Sequence, residues 1–162
     1  MPPDLAGLTH NQALDVLIVE NDPAMARLTY EAFRMAGLHH QVQTLPDGEE
    51  ALAYLRRTDP HASAPHPDLI CLDLHLPRTS GLEVLEELKR DPKLRLTPVI
   101  VISGSDNPDE VRQAYELHAS CFIRKPDDLD GFLRFIQVCF EFWGTFVTLP
   151  AKPELLGQRT AS

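Results

Sequence analysis

Five short apolar runs recur along the chain, each followed by a helical pattern, and this alternation limits the fold more than any other feature. The runs are Leu14–Glu20, His40–Leu45, Asp68–Asp73, Pro98–Ser103 and Ser120–Arg124. Each is bounded by turn residues and has the length of a strand. The first, third and fourth are apolar at nearly every position, as a parallel sheet covered on both faces requires. Behind Asp22-Pro23, the residues Met25, Leu28, Ala32 and Met35 recur at helical spacing, and Gly37 closes that helix. A second helix is expected from near Asp47 to Arg57, with Ala51, Leu52 and Leu55 turned inward. A third covers Leu82–Lys89, stopped by Asp91-Pro92, and a fourth opens at Asn107-Pro108 and carries Val111, Ala114 and Tyr115. The fifth starts at Asp127 or Asp128 and reaches Trp143. Five β/α units in succession imply a doubly wound α/β fold with right-handed crossovers.

Composition excludes several functions for such a chain. Its 162 residues suffice for one domain with a real core. The formal charge of −9, with no cluster of Lys or Arg, argues against a nucleic-acid partner. No apolar run approaches the roughly 18 residues of a membrane span, and MPPDLAGLTHNQ lacks the features of a signal peptide. Cys71, Cys121 and Cys139 are odd in number and lie in apolar stretches, so they read as reduced, buried residues. No membrane and a cytoplasmic location are expected.

In open α/β sheets the ligand crevice lies beyond the carboxyl ends of the strands. There the sequence places acids, a hydroxyl and a lysine. Strand 1 ends in Glu20, followed by Asn21 and Asp22; strand 3 ends in Asp73; strand 4 ends in Ser103; strand 5 leads into Lys125-Pro126. Carboxylates crowded in a half-buried crevice repel one another unless a cation sits among them. Hard oxygen ligands with room for water suit Mg²⁺. A metal and one ammonium can neutralise the oxygens of a transferred phosphoryl group, Ser103 can donate a hydrogen bond, and Asp73 can act as the nucleophile. Asp22 before Pro23 is also a good helix cap, and capping and metal binding can coexist.

These residues resemble the receiver domain of response regulators, the phosphoacceptor half of two-component signalling. The matching pieces are VENDP (Val19–Pro23), LDLHLP with Pro77 after Asp73, Gly81, VISGS around Ser103, and Lys125-Pro126. The resemblance implies a flavodoxin-like five-stranded parallel sheet of order 2-1-3-4-5 with five helices. It implies phosphorylation of Asp73 by a sensor histidine kinase, and Mg²⁺ held by Glu20, its neighbour, Asp73 and the main-chain carbonyl of His75. Ser103 becomes the switching hydroxyl and Lys125 the phosphoryl-binding lysine. Two positions depart from the pattern: Asn21 stands where many relatives carry a second acid, leaving Asn21 or Asp22 as the further ligand. Phe122 stands where they often carry tyrosine.

The last helix adds an oligomeric expectation. In Leu129–Trp143, one stripe (Leu129, Phe132, Leu133, Ile136, Phe140, Trp143) is enough to cover the sheet, yet Phe135, Val138 and Phe142 form another. That stripe is either a wider core face, covered in part by Phe146–Leu149, or an exposed patch for a two-fold dimer. The segment from YELHASCFIRKP to EFWGTFVTLP resembles small single-domain regulators that partner bacterial phytochromes. That resemblance implies a homodimer through the fourth and fifth helices, the fifth strand and the C-terminal extension, and the residues expected in the interface are Phe135, Val138, Phe142, Trp143 and Phe146. Residues 14–143 are then the domain, 1–13 a tail, and 144–162 an extension that starts in the interface and frays at its end. Neither flank reaches the roughly 40 residues of a self-folding output module, so output is expected through protein partners. The alternatives are an unphosphorylated dimeric adaptor, favoured by Asn21, and a Mg²⁺-dependent phosphohydrolase, disfavoured by His75 where a second acid is needed.

Overall fold

The structure is a computed structural model and describes residues 14–35 and 41–153. Five parallel strands, β1 (Val16–Val19), β2 (Val42–Leu45), β3 (Leu69–Leu72), β4 (Val99–Ser103) and β5 (Cys121–Arg124), form one sheet in the order β2-β1-β3-β4-β5. The helices are α1 (Pro23–Met35), α2 (Gly48–Leu55), α3 (Gly81–Arg90), α4 (Pro108–Glu116) and α5 (Leu129–Glu141). The expected flavodoxin-like arrangement is therefore the observed one. Gly37, His40, residues 1–13 and residues 154–162 lie outside the described residues.

Every residue of β1, β3 and β4 is buried, because helices cover both faces. The strand period of two divides their side chains between two cores. Leu17, Val19, Ile70, Leu72, Val99 and Val101 face α2, α3 and α4, where Ala51, Leu55, Val84, Leu85, Leu88 and Ala114 meet them. Val16, Ile18, Leu69, Cys71, Ile100 and Ile102 face α1 and α5, where Phe33, Phe132, Ile136 and Phe140 close the layer. Phe33 and Phe140 meet edge to face at 4.6 Å, a contact worth about 1 kcal/mol beyond its buried area.

Helix starts are set by side chains that accept first-turn amides. Asp47 accepts the Glu50 amide at 2.8 Å, and Ser80 and Glu83 form a reciprocal capping box on α3. Asn107 and Asp128 cap α4 and α5 in the same way. At the amino end of the sheet, Lys152 pairs with Asp15 and, at 3.4 Å, with Asp68, tying the chain beyond Pro150 to the residues that precede β1 and β3.

Four details differ from what periodicity suggests. Met35 and Leu129, expected inside, are 69% and 53% exposed; Met35 is the last residue of α1 and Leu129 the first of α5. Phe33 fills the α1 core position instead. The fifth helix ends at Glu141 and passes into a π-helical turn, Phe142–Phe146. Cys71 is buried, but Cys121 and Cys139 are only half-buried. Burial still pushes the Cys71 and Cys121 thiols up and the Cys139 thiol up to about 12, so none is a ready thiolate.

Candidate functional site

The order β2-β1-β3 places the topological switch between β1 and β3, since the chain builds outward on one side and then returns to the other. Residues just past those two strands must share that crevice. Glu20 follows β1 and Asp73 follows β3, and both are buried, at 9% and 8% exposure. Lys125, just past β5, reaches across to both: its Nζ lies 2.9 Å from Glu20 Oε2 and 3.2 Å from Asp73 Oδ2. Main-chain hydrogen bonds set these positions. The Asp73 amide donates to the Val19 carbonyl at 3.0 Å, and the Lys125 amide donates to the Ser103 carbonyl at 2.8 Å.

The remaining carboxylate oxygens each accept one amide. The Asp22 N–H donates to Glu20 Oε1 at 3.3 Å, and the His75 N–H donates to Asp73 Oδ1 at 3.1 Å. Two carboxylates thus share one ammonium. Burial first, then the charge of Asp73, raises the Glu20 pKa above the usual carboxylate value against the opposing pull of Lys125. Burial alone would lower the Lys125 pKa; the bond to Glu20 and the charge of Asp73 outweigh it and raise it.

The other sequence candidates fall around this core. Ser103 is fully buried at the end of β4, and its Oγ accepts the Ser105 amide at 3.2 Å. Asn21 and Asp22 are exposed, and Asp22 Oδ1 accepts the Ala24 amide at 2.9 Å, which caps α1. His75 is exposed, with its imidazole 3.5 Å from Glu110 of α4. Phe122 is half-buried against the α2–α4 core, and its amide donates to the Tyr115 hydroxyl at 3.1 Å. Around the last helix, Val138, Phe142 and Phe146 are exposed, whereas Phe135 and Trp143 are half-buried against the α1–α5 core.

The donor set fits a divalent cation. Glu20 and Asp73 leave one negative charge beyond what Lys125 neutralises, and each oxygen keeps a lone pair after its single hydrogen bond. Among the described residues no three His, Cys, Asp or Glu side chains are placed to hold a metal together. A cation at this site would rely on two carboxylates, main-chain or amide oxygens and water, the mixture that suits Mg²⁺.

Sequence reading did not find two further contacts. Tyr115 bonds the β5 main chain, and Arg78 pairs with Asp47 at 2.5 Å and Glu49 at 3.2 Å. Only the Asp47 cap had a local signal, an acid just ahead of a helical pattern.

Comparison with known proteins agrees with this architecture. The profile of the response regulator receiver domain matches residues 16–137. Response regulator Rcp1 of Synechocystis sp. is 39% identical over 136 residues, covering 84% of this chain and 92% of its own. The crystal structure of the phosphorylated cyanobacterial phytochrome response regulator RcpA superposes with a TM-score of 0.84 at 41% identity, covering 86% of this chain and all of RcpA. The Mn²⁺-bound form of Rcp1 gives a TM-score of 0.82 at 38% identity, covering 85% of this chain and 99% of that one. With the profile spanning most of the chain and two relatives matched along nearly their whole length, the chain belongs to the response regulator receiver domain family.

Proposed function

We propose that this receiver accepts a phosphoryl group on Asp73 from a sensor histidine kinase, in the presence of Mg²⁺, and signals through protein partners. The observation that carries the reading is the bridge from Lys125 to Glu20 and Asp73 at the switch point of the sheet. The likeness to a phosphorylated phytochrome regulator and to a Mn²⁺-bound one supports the donor class and the metal. A phytochrome-type kinase is the donor proposed.

An Asp73 oxygen attacks phosphorus, the bond from phosphorus to the kinase imidazole nitrogen breaks with its electron pair on nitrogen, and an acyl phosphate forms. Glu20, Asp73, the His75 carbonyl and Asn21 or Asp22 are the residues that would hold Mg²⁺, which supplies charge stabilisation for the phosphoryl oxygens when bound. Lys125, bonded to Asp73 in the unphosphorylated site, transfers that hydrogen bond to a phosphoryl oxygen. Ser103 Oγ already accepts the Ser105 amide, so its own proton is free for a phosphoryl oxygen. The chain itself turns over no external substrate in this scheme. Val138, Phe142 and Phe146, flanked by Phe135 and Trp143, form the surface for a second copy.

Incubation with Mg²⁺ and acetyl phosphate is expected to add the mass of one phosphoryl group, and Asp73→Asn is expected to abolish the addition. Addition that persists in Asp73→Asn would show a different acceptor. A dimeric adaptor that is never phosphorylated is the second reading, favoured by Asn21 in the slot where many relatives carry an acid. It predicts no mass change and no Mg²⁺ binding in the wild type.

A further inference from the structure

The segment between Asp73 and α3 is held more tightly than its exposure suggests. A Cβ on Gly81 would lie 2.2 Å from the Asp73 carbonyl oxygen, and one on Gly48 would lie 2.3 Å from that of Thr79. The loop therefore closes on its own start and on the start of α2 without space to spare. Arg78, within this loop, has a left-handed backbone (φ 64), a conformation that side chains with a Cβ disfavour. A strained non-glycine residue persists where its surroundings hold it. Here the holders are visible: the guanidinium meets Asp47 at 2.5 Å and Glu49 at 3.2 Å. Asp47 is itself buried, and its other oxygen caps α2 through the Glu50 amide.

The same loop carries His75, whose amide donates to Asp73 Oδ1 at 3.1 Å. We propose that Arg78 is a positioning residue of the phosphoryl-transfer site: its pairing with Asp47 and Glu49 pins the loop so that the His75 main chain is presented to Asp73 and to the cation beside it. This inference rests on the function proposed above and assigns that site an outer support. Groups that orient a metal's own ligands commonly tune affinity although they never touch the ion. Arg78 fits that description from the exposed side of the loop.

The test compares Arg78→Gly, Arg78→Lys and Asp47→Asn with the wild type. Glycine accepts the left-handed backbone, so Arg78→Gly removes the guanidinium without adding strain. Asparagine caps a helix as well as aspartate, so Asp47→Asn keeps α2 and removes the charge. Mg²⁺ affinity is read by calorimetry, and amide exchange of residues 74–80 is read in metal-free protein. Arg78→Gly is expected to weaken Mg²⁺ about tenfold and to speed exchange in the loop. Asp47→Asn is expected to do the same to a smaller extent, since Glu49 remains, and Arg78→Lys to fall between Arg78→Gly and the wild type. The double variant is expected to match Arg78→Gly, because both changes break one pair.

Affinity within about twofold of wild type in Arg78→Gly, or faster exchange confined to α2, overturns the assignment. Wild-type phosphoryl uptake is measured alongside. Uptake that is normal in wild type and variants, with unchanged affinity, sinks the role of Arg78 alone. Mg²⁺ binding without uptake sinks the proposed phosphoacceptor function, and the affinity comparison still decides Arg78. A wild type that binds no Mg²⁺ sinks both.

Discussion

Lys125 bonds two buried carboxylates, and its loss would take that ammonium from both at once. Lys125→Ala is expected to destabilise the metal-free protein by about 2 kcal/mol in urea unfolding. That is less than a fully dry pair would cost, because the crevice opens to solvent. Mg²⁺ is expected to recover part of the loss, while phosphoryl uptake stays low. The pH dependence has two signs. The Glu20 pKa is raised on folding, so the folded state binds that proton more tightly than the unfolded chain. Stability then falls as pH rises from the ordinary carboxyl value through the raised one. Lys125 is also raised, so its contribution is present below the ordinary lysine value and fades as pH rises through the folded one. Asp47 runs the other way. Burial would raise its pKa, but the Glu50 amide and Arg78 outweigh burial and lower it, so its contribution is present above the ordinary aspartate value and is lost as pH falls through the folded one. Metal-free urea midpoints across a pH series check all three, and Mg²⁺ is expected to flatten the Glu20 limb. The acids at strand ends were legible in the sequence because a parallel sheet puts all carboxyl ends on one edge. The Arg78–Asp47 pair was not, since its partners are 31 residues apart and meet only when the loop closes on α2.

At the scale of elements, α5 separates stability from assembly. Ile136 is fully buried on its inner face, and Ile136→Ala is expected to cost about 2–5 kcal/mol in chemical denaturation. Val138 is 61% exposed, so Val138→Asp is expected to change the stability of a single subunit by less than about 0.5 kcal/mol. The same change is expected to move sedimentation from dimer to monomer; a wild type already monomeric would remove the proposed interface. Gly81→Ala tests the loop closure. Its new methyl would strike the Asp73 carbonyl, so a loss of about 1–3 kcal/mol is expected, with weaker phosphoryl uptake. Periodicity predicted which helices exist and their inner faces, but not where burial stops at their ends. Met35 and Leu129 fit the apolar stripe, yet both are exposed at the ends of their helices. The π turn at Phe142–Phe146 had no period of its own to announce it.

At the scale of the whole molecule, a ligand that binds the folded state alone stabilises it by mass action. Mg²⁺ at a hundred times its dissociation constant is therefore expected to add about 2.7 kcal/mol, or roughly 5–10 °C in melting temperature. Asp73→Asn is expected to shrink that gain. No helix among the described residues is long and apolar enough to cross a membrane. The neighbouring strands β1 and β3 are bracketed at both ends by the same composition. Glu20 and Asp73 hold Lys125 at one pole, and Asp15 and Asp68 hold Lys152 at the other. Five residue steps along β1 set the poles about 17 Å apart. A cation titration followed residue by residue thus has an internal standard. An ion drawn merely to paired acids would perturb both poles alike, whereas one recognised at the crevice would leave Asp15 and Asp68 undisturbed.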